Sequence, residues 1–427
     1  MSEQGQYQKR FLKLIPREEA LRRVLNALEL KPIGYESIAV EESLGRILAE
    51  DIISDRDIPP YNQASMDGYA VRSSDVAEAS FEKPSRLKVL TKLFPSSFHM
   101  AGVLNEGEAM YVASGAPLPL GADAVVRVEN AKVIDEWIEV YEPIEPWRNV
   151  TRIGQDVRKG EVVLKKGHVL TPRDIGVLTM LGVKKVLVVR KLKVAIISVG
   201  DELTESWQGD PGKVVISNTY MVSQMISDFG AIPIVMGVVP DNPEEIAKKI
   251  IEALKGADIV LTIGGCSIGL NDFVPDAINS IGKPGIVFHG ITTAPGRVSG
   301  VGVISNKPVV MVPGYAVSAL ACFYFFVIPL LNGLSGLDPY GSPPVLEARL
   351  LDDVIAKPGL DLFLLLRISF NKGYEAEPIY GPSSSANDLA RANGYTIVRA
   401  GSKLMKGETI RAYLFSFSEL RNLNFRL

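Results

Sequence analysis

The sequence predicts a multidomain α/β protein with additional β-rich parts. Its 427 residues suffice for about three domains of ~150 residues each. Between 193 and 331, apolar stretches typical of buried strands alternate with helical stretches, as in a parallel sheet covered by helices. Short β-like segments separated by Gly and Pro fill 72–145, and more follow the turn-rich linker at 337–344. These three observations define the predicted fold class.

Each predicted element rests on a local signal. Pro16 suits the first turn of a helix whose apolar residues recur at helical spacing through Leu28. Two prolines, an Asn and an Asp-Gly pair predict a loop over 57–71. Thr171, followed by a proline and an acid, predicts the start of a short helix. The other predicted strands are 38–40, 51–53, 87–90, 109–112, 124–128, 137–141, 193–199, 232–239, 258–263, 301–304, 309–312, 345–350, 362–368, 395–398 and 409–415, and the other helices are 220–229, 243–254 and 317–331.

Composition narrows the function. The net charge of −3 gives no bulk attraction for nucleic acid or for an anionic membrane. Cys266 and Cys322 form neither a disulfide framework nor a metal-binding spacing, and the three histidines are far apart in sequence. The most apolar run, 317–331, is shorter than the ~20 residues that span a bilayer, and the polar N-terminus lacks a signal core. We therefore expect a cytoplasmic protein that binds neither nucleic acid nor membrane.

The stretch 258–273 carries the first functional signal. A buried strand leads into Gly264 and Gly265, where the backbone turns sharply and approaches a ligand without a Cβ in the way. Asp272 follows shortly before a predicted helix. Ligands of doubly wound sheets bind at the carboxyl ends of strands, so this order suits a phosphate-bearing ligand and a cation. The same letters are also typical of a plain strand-to-loop turn with a solvated aspartate.

Five stretches of the chain together form a recognisable pattern. They are Ser65–Ala70, Gly115–Pro119, Gly200–Leu203, Gly264-Gly265 with Gly269 and Asp272, and Pro313-Gly314 with Val317-Ser318-Ala319. In their order and spacing they resemble the molybdopterin molybdenumtransferase family, which includes the C-terminal domain of gephyrin. The resemblance covers nearly the whole chain, and its most specific part is the Ser-Met-Asp-Gly-Tyr-Ala sequence.

The resemblance implies an elongated homodimer with four subdomains per chain. We expect a split N-terminal domain at 1–55 and 146–190, and an inserted β-rich lobe at 56–145. An α/β molybdopterin-binding domain at 191–336 and a C-terminal β-barrel at 341–427 complete the chain. The active site is expected to combine the α/β domain of one chain with the lobe of the other.

The resemblance also implies an activity. Adenylylated molybdopterin is bound, molybdate is inserted at its dithiolene, and AMP is released with the help of Mg²⁺. A hard cation held by carboxylates and substrate phosphates offsets the charges of the pyrophosphate and the oxyanion. Tungstate has the same charge and nearly the same size, so the sequence does not separate the two metals. The molybdopterin adenylyltransferase is a candidate partner.

Positions that match the family pattern give the candidate site residues. The metal-binding set is Glu202, Asp241 and Asp272. The catalytic set is Asp67, Asp156, Ser114 and Arg297. The residues expected to bind molybdopterin are Gly264, Gly265, Ser267, Gly269, Pro313, Gly314 and Ser318.

Three of the acids have simpler interpretations that the sequence leaves open. Asp241 is placed where an aspartate commonly caps the following helix. Glu202 would serve equally as one partner of a surface ion pair. Asp156 lies between Arg152 and Arg158, either of which is a potential partner.

The chain departs from the family pattern in several loops. Where the pattern has Lys-Pro-Gly-Lys-Pro, this chain has Ala294 in place of the first lysine and Arg297 in place of the second. Asn-Pro of the Pro-Gly-Asn-Pro-Val-Ser pattern is replaced by Tyr315 and Ala316, and Ser114 stands where Thr is usual. These departures favour a rival hypothesis, a non-catalytic molybdopterin-binding or scaffold relative, whereas the retained carboxylates favour the enzyme.

Overall fold

The chain forms two units in the computed structural model, which describes residues 12–267, 269, 272–341, 343–421 and 423. The inserted unit is Ser37–Leu187, and the larger unit joins the described residues up to Glu36 to those from Val188 onward. The finer division into four domains stays a prediction.

The inserted unit contains a six-stranded sheet. Its strands lie side by side in the order Ala124–Arg127, Gly68–Val71, Glu108–Val112, Ser85–Leu93, Trp137–Val140 and Ala131–Ile134. Separate apolar clusters around Val112 and Val71 form the cores of this unit. The elements from the beginning of the described chain through this unit are α1 Arg17–Asn26, β1 Tyr35–Ala39, β2 Ile52–Ile53, β3 Gln63–Ala64, β4 Gly68–Val71, β5 Ser85–Leu93, β6 Glu108–Val112, β7 Ala124–Arg127, β8 Ala131–Ile134, β9 Trp137–Val140, β10 Val150–Thr151, β11 Val162–Leu164, α2 Pro172–Met180 and β12 Lys185–Val189.

Strand β4 corrects the predicted loop over 57–71. All four residues of β4 are buried, and the strand pairs with β6 on one side and β7 on the other. The first residue of this strand is a glycine, Gly68, because a Cβ there would overlap the carbonyl oxygen of Val126. The Asp-Gly pair thus marks entry into a central strand at a close backbone approach rather than a hairpin turn.

A second six-stranded sheet organises the larger unit. Its strands lie side by side in the order Ile232–Val239, Lys193–Val199, Ile259–Ile263, Lys307–Val312, Gly300–Ile304 and Pro284–His289. The first four strands are parallel, and the last two add antiparallel pairings at one edge. The elements are β13 Lys193–Val199, β14 Leu203–Thr204, β15 Val214–Val215, α3 Ser217–Asp228, β16 Ile232–Val239, α4 Pro243–Gly256, β17 Ile259–Ile263, α5 Val274–Ile281, β18 Pro284–His289, β19 Thr293–Ala294, β20 Gly300–Ile304, β21 Lys307–Val312, α6 Ala316–Cys322, a π-helical turn Phe323–Val327 and α7 Ile328–Leu334.

Both faces of this sheet are buried, which explains why its strands are continuously apolar. In β13, Val194 and Ile196 pack in one core with helix α3, and Ala195 and Ile197 pack in the other with helix α4. Period-2 alternation of side chains therefore sends neighbouring residues into different cores. The predicted α/β architecture is confirmed.

One helical segment, Ala316–Leu334, is long and apolar enough to cross a membrane by length and composition. However, 94% of its most apolar window is buried inside the protein. Its aromatic residues contact the sheet and the barrel, as when the Phe326 ring lies 4.8 Å from that of Phe288. The segment is a core helix in this structure, as the sequence predicts for 317–331.

The C-terminal part forms a closed five-stranded barrel. Its strands follow one another in the order Asp361–Phe370, Tyr374–Ile379, Val345–Leu350, Thr409–Leu414 and Gly394–Val398, and the last of these pairs with the first. The predicted β-barrel is confirmed, although the sequence interpretation missed β25, which contains Pro378, and the short helix α8. The elements are β22 Val345–Leu350, β23 Val354–Ile355, β24 Asp361–Phe370, β25 Tyr374–Ile379, α8 Ala386–Arg391, β26 Gly394–Val398, β27 Lys403–Leu404 and β28 Thr409–Leu414.

An ion pair anchors the start of the central strand β17. The guanidinium of Arg190 donates two hydrogen bonds to the carboxylate of Asp258, at 2.8 and 2.7 Å, and the Lys193 amide donates a third at 2.8 Å. Burial alone would raise the pKa of Asp258, but these hydrogen bonds and the Arg190 charge hold it below its ordinary value.

We predict that Asp258→Asn lowers the stability of the protein by about 1–3 kcal/mol, because it leaves a charged Arg190 facing an amide. The lowered pKa means that the stabilisation is complete above the ordinary aspartate pKa of 3.8 and is lost as pH falls through the folded-state value. The difference in unfolding temperature between wild type and variant should therefore narrow in acid. Glu29→Gln removes one side of an exposed pair with Lys31 and should change little. Equal stability of wild type and Asp258→Asn near neutral pH would contradict the prediction.

Candidate active site

Four strands deliver polar loops to one edge of the sheet in the larger unit. Because β16, β13, β17 and β21 are parallel, their carboxyl ends point to the same side. Asp241 follows β16, Glu202 follows β13, Gly264 follows β17 and Pro313 follows β21. Sites predicted from separate sequence stretches are thereby brought to a common edge.

A cleft of about 1000 Å³ opens at this edge. Its walls come from the ends of β13, β17 and β21, from the loop at 294–298, and from Leu362, Ser383 and Ser384 of the barrel. The sequence-predicted site residues that line it are Glu202, Gly264, Gly265, Ser267, Asp272, Arg297, Pro313, Gly314 and Ser318.

The glycine pair forms a wall that accepts no side chains. Gly264 and Gly265 have φ values of +93° and +62°, in the region that favours glycine. A Cβ on Gly264 would overlap the carbonyl oxygen of Val199, and one on Gly265 would lie 2.9 Å from the Val199 side chain. The wall is therefore bare backbone, against which a ligand can lie closely.

Acidic side chains gather near one end of the cleft. The amide of Asp241 donates to the carboxylate of Asp201 at 3.2 Å, and the amide of Asp201 donates weakly to the carboxylate of Asp241 at 3.4 Å. The Glu202 carboxylate folds over Gly200, where a Cβ would lie 2.6 Å from its oxygen. Asp272 accepts a hydrogen bond from the Gly269 amide at 2.6 Å.

The negative charge of Asp241 is disfavoured in this cluster when no cation is bound. Burial raises the pKa of Asp241, and the negative charges of Asp201, Glu202 and Asp272 raise it further. Asp201, Glu202 and Asp272 are therefore all close enough to repel the charge of Asp241. A cation is the natural means of relieving that repulsion.

The helix-capping interpretation of Asp241 is wrong. Asn242 caps helix α4, accepting hydrogen bonds from the amides of Glu244 and Glu245 at 2.9 and 3.1 Å. Nor does any ion pair in the described part of the chain include Glu202. Both side chains consequently stay available to a ligand.

Mg²⁺ fits this donor set better than a transition metal does. Within the described ranges, no group of three or more His, Cys, Asp or Glu side chains is placed so that it could hold a metal ion. A cation at this edge would therefore need ligands from waters or from the substrate as well. Mg²⁺ is commonly bound through one or two carboxylates together with waters and substrate phosphates. Carboxylates spread along the edge of an open cleft match that mode of binding.

Arg297 is the one basic residue among the described residues that line the cleft. Its side chain is exposed, and no described ion pair includes it. The backbone of its loop is fixed, because the Arg297 carbonyl accepts a hydrogen bond from the Ile291 amide at 2.9 Å. A guanidinium in this position is free to bind an anion.

The inserted unit holds the remaining predicted residues. The Asp67 carboxylate accepts a hydrogen bond from the Ser114 amide at 2.7 Å, and the Ser114 hydroxyl donates to the carbonyl of Ser65 at 3.3 Å. Asp67 and Ser114 are thus brought together on the surface. Asp156 is exposed, and no ion pair within the described ranges joins it to Arg152 or Arg158. Arg152 instead lies 4.7 Å from the centre of the Trp147 ring.

Sequence reasoning missed several residues of the cleft. Asp201 does not line the cleft, but it adjoins Glu202 and contributes to the raised pKa of Asp241, and it is not among the predicted site residues. Asn218 also lines the cleft and donates a hydrogen bond to the Gly314 carbonyl at 2.6 Å. Ser383 and Ser384 arrive from the barrel, and no local pattern indicates that their loop reaches the sheet edge.

Comparisons with known families agree with this architecture. Residues 15–182 match the model "MoeA N-terminal region (domain I and II)". Residues 195–333 match "Probable molybdopterin binding domain", and residues 347–415 match "MoeA C-terminal region (domain IV)". The chain therefore has the domain composition of proteins built around a molybdopterin-binding domain.

Individual relatives extend over most of the chain. A molybdopterin molybdenumtransferase of Bacillus subtilis is 32% identical over 414 residues, 94% of each chain. That of Haemophilus influenzae is 34% identical over 335 residues, 78% of this chain and 80% of the relative. A crystal structure of a molybdopterin biosynthesis MoeA protein from Pyrococcus horikoshii superimposes with a TM-score of 0.82 at 34% identity, covering 95% of this chain and all of the other.

The chain belongs to the molybdopterin molybdenumtransferase family, an enzyme family of molybdenum cofactor biosynthesis. The family resemblance seen in the sequence is confirmed.

We predict that Asp241→Asn stabilises the protein slightly in the absence of divalent cations, by under about 1 kcal/mol after solvent screening. The raised pKa means that ionised Asp241 is disfavoured in the folded state, so the cost is complete above the folded-state pKa and vanishes below the ordinary value of 3.8. Thermal unfolding in a chelating buffer should show a gain that fades in acid. Glu347→Gln, an exposed acid on the barrel, should show none. A destabilised Asp241→Asn would contradict the repulsion.

Proposed function

We propose that this protein inserts molybdate or tungstate into adenylylated molybdopterin, releasing AMP in a reaction that requires Mg²⁺. The main support for this proposal is the cleft at the edge of the sheet in the molybdopterin-binding domain. A wall of two glycines, several nearby carboxylates and a single arginine come together there.

Charge explains why such a cleft needs a cation. The substrate carries a pyrophosphate and the incoming oxyanion is doubly negative, yet the described residues of the cleft supply one arginine and two acids. Mg²⁺ between the carboxylates and the phosphates offsets repulsion that the protein alone leaves uncompensated.

The protein residues then have distinct roles in the proposal. Gly264 and Gly265 let the substrate lie against backbone, and Asp272, Asp241 and Glu202 orient the cation. Arg297 donates paired hydrogen bonds to the tetrahedral oxyanion. Pro313, Gly314 and Ser318 line the cleft beside the glycine pair. Asp67, Ser114 and Asp156 are the candidates supplied by the inserted unit.

We also propose that the protein acts as a cytoplasmic homodimer and receives its substrate from the molybdopterin adenylyltransferase. Light scattering tests the dimer, and a stable, fully active monomer would refute it. The dimer is independent of the chemistry assigned to the cleft, whereas transfer from the adenylyltransferase requires adenylylated molybdopterin to be the substrate.

The deciding experiment measures AMP released from adenylylated molybdopterin on addition of molybdate and Mg²⁺. We predict that Asp272→Asn reduces the rate at least tenfold, about 1.4 kcal/mol in the transition state, because it removes one charge from the cation site at nearly constant size. Excess Mg²⁺ should partly restore the rate. Glu347→Gln should be unaffected.

The outcomes separate the hypotheses. An Asp272→Asn protein with unchanged Mg²⁺ dependence would make the residue structural. Wild-type protein that binds adenylylated molybdopterin without releasing AMP would identify the non-catalytic relative that the loop departures favour.

We predict that Arg297→Ala raises the molybdate or tungstate concentration for half-maximal AMP release by about tenfold or more, since a charge-assisted bidentate contact is lost. Binding of the adenylate end should change little. Ala294→Lys, which restores a basic residue of the family pattern, should lower that concentration. Arg411→Ala, on an exposed barrel position, is the matched control. Unchanged oxyanion dependence in both Arg297→Ala and Ala294→Lys would place the anion elsewhere.

A further inference from the structure

The cleft presents one aromatic ring to its ligand. Among its described lining residues Tyr315 is the sole aromatic side chain, and it is 63% exposed. In the described part of the chain, no other ring stacks on Tyr315 and no hydrogen bond engages its hydroxyl. Much of its ring is therefore exposed to solvent in the cleft.

The backbone that carries this ring is held in place. The Tyr315 carbonyl accepts a hydrogen bond from the Ala319 amide at 2.8 Å, which begins helix α6. The preceding Gly314 is fixed by Asn218 and lies so near the glycine wall that a Cβ on it would be 3.8 Å from the Cα of Gly264. The backbone that leads into Tyr315 therefore adjoins the glycine wall, and both line the same cleft.

The same cleft combines this one ring with one cation, Arg297. A ligand that uses both must carry a planar ring and an anionic group in one molecule. Aromatic side chains in nucleic-acid-binding proteins stack on any heterocyclic base, because every base has a π-face.

We propose that Tyr315 stacks on a planar nitrogen heterocycle of the anionic ligand. The inference rests on the proposed function, whose substrate contains two such rings, adenine and pterin. The family pattern has Asn at this position, so the stacking contact is specific to chains with an aromatic residue here.

The experiment titrates the purified full-length protein with two probes, AMP and pterin-6-carboxylate, in the presence of Mg²⁺. The variants are Tyr315→Ala and Tyr315→Phe, and the control is Tyr340→Ala, whose side chain is 61% exposed and is not among the lining residues. Calorimetry gives the Kd, and NMR of the ligand protons reports the upfield ring-current shift that a stacked tyrosine produces.

We expect Tyr315→Ala to weaken one of the probes by about tenfold and to abolish its upfield shift. Tyr315→Phe should preserve both, because it keeps the ring, and Tyr340→Ala should match the wild type. A loss confined to AMP assigns the adenine ring, and a loss confined to the pterin assigns the pterin ring.

Two results overturn the inference in distinguishable ways. Wild-type binding that Tyr315→Ala leaves unchanged for both probes, in Kd and in chemical shift, refutes stacking and leaves the proposed function standing. Wild-type protein that binds neither probe refutes the proposed function together with the inference.

Discussion

The parallel pairing of four strands is the constraint on which the rest of the larger unit depends. The ladders pair Val199 with Val239 and Ile263 with Val312, so these strands end at nearly the same level. Loops that follow them have no choice but to meet at one edge. The buried apolar residues on both sheet faces fix that register, since a slip by one residue would exchange the two cores. Core packing therefore determines where the polar chemistry lies.

Concentrating loops at one edge also concentrates charge. Asp201, Glu202 and Asp241 belong to two neighbouring strand ends, and their mutual repulsion contributes to the raised pKa of Asp241. The protein does not relieve this strain through helix capping, because Asn242 already satisfies the amides at the start of α4. Under the proposed function the ligand is polyanionic, and a cation between this acidic edge and the ligand would offset the repulsion.

The sequence determined much of this fold through patterns that are local. Strands β13 and β16 were predicted with their observed bounds, since a buried parallel strand is a continuous apolar run. Strand β25 was missed because Pro378 and two glutamates disguise a barrel strand, and β4 because its glycine resembled a turn. The same limit applies to the site. Motifs at single strand ends were visible, whereas Ser383 and Ser384 come from a distant barrel loop, and only tertiary packing brings them to the cleft.

The departures from the family pattern lie in the part of the fold that contacts the ligand cleft rather than in the buried cores. Ala294, Arg297, Tyr315 and Ala316 all line the cleft. Arg297, Tyr315 and Ala316 lie outside the strands, in loops or at the start of helix α6. A change of residue there alters what the ligand meets without disturbing either core. One basic residue fewer is expected to weaken the attraction for an oxyanion, and one tyrosine more supplies an exposed aromatic surface. The fold of the family is thus compatible with a changed balance between electrostatic and stacking contributions to ligand binding, and the stacking inferred for Tyr315 would shift the cleft of this chain toward stacking.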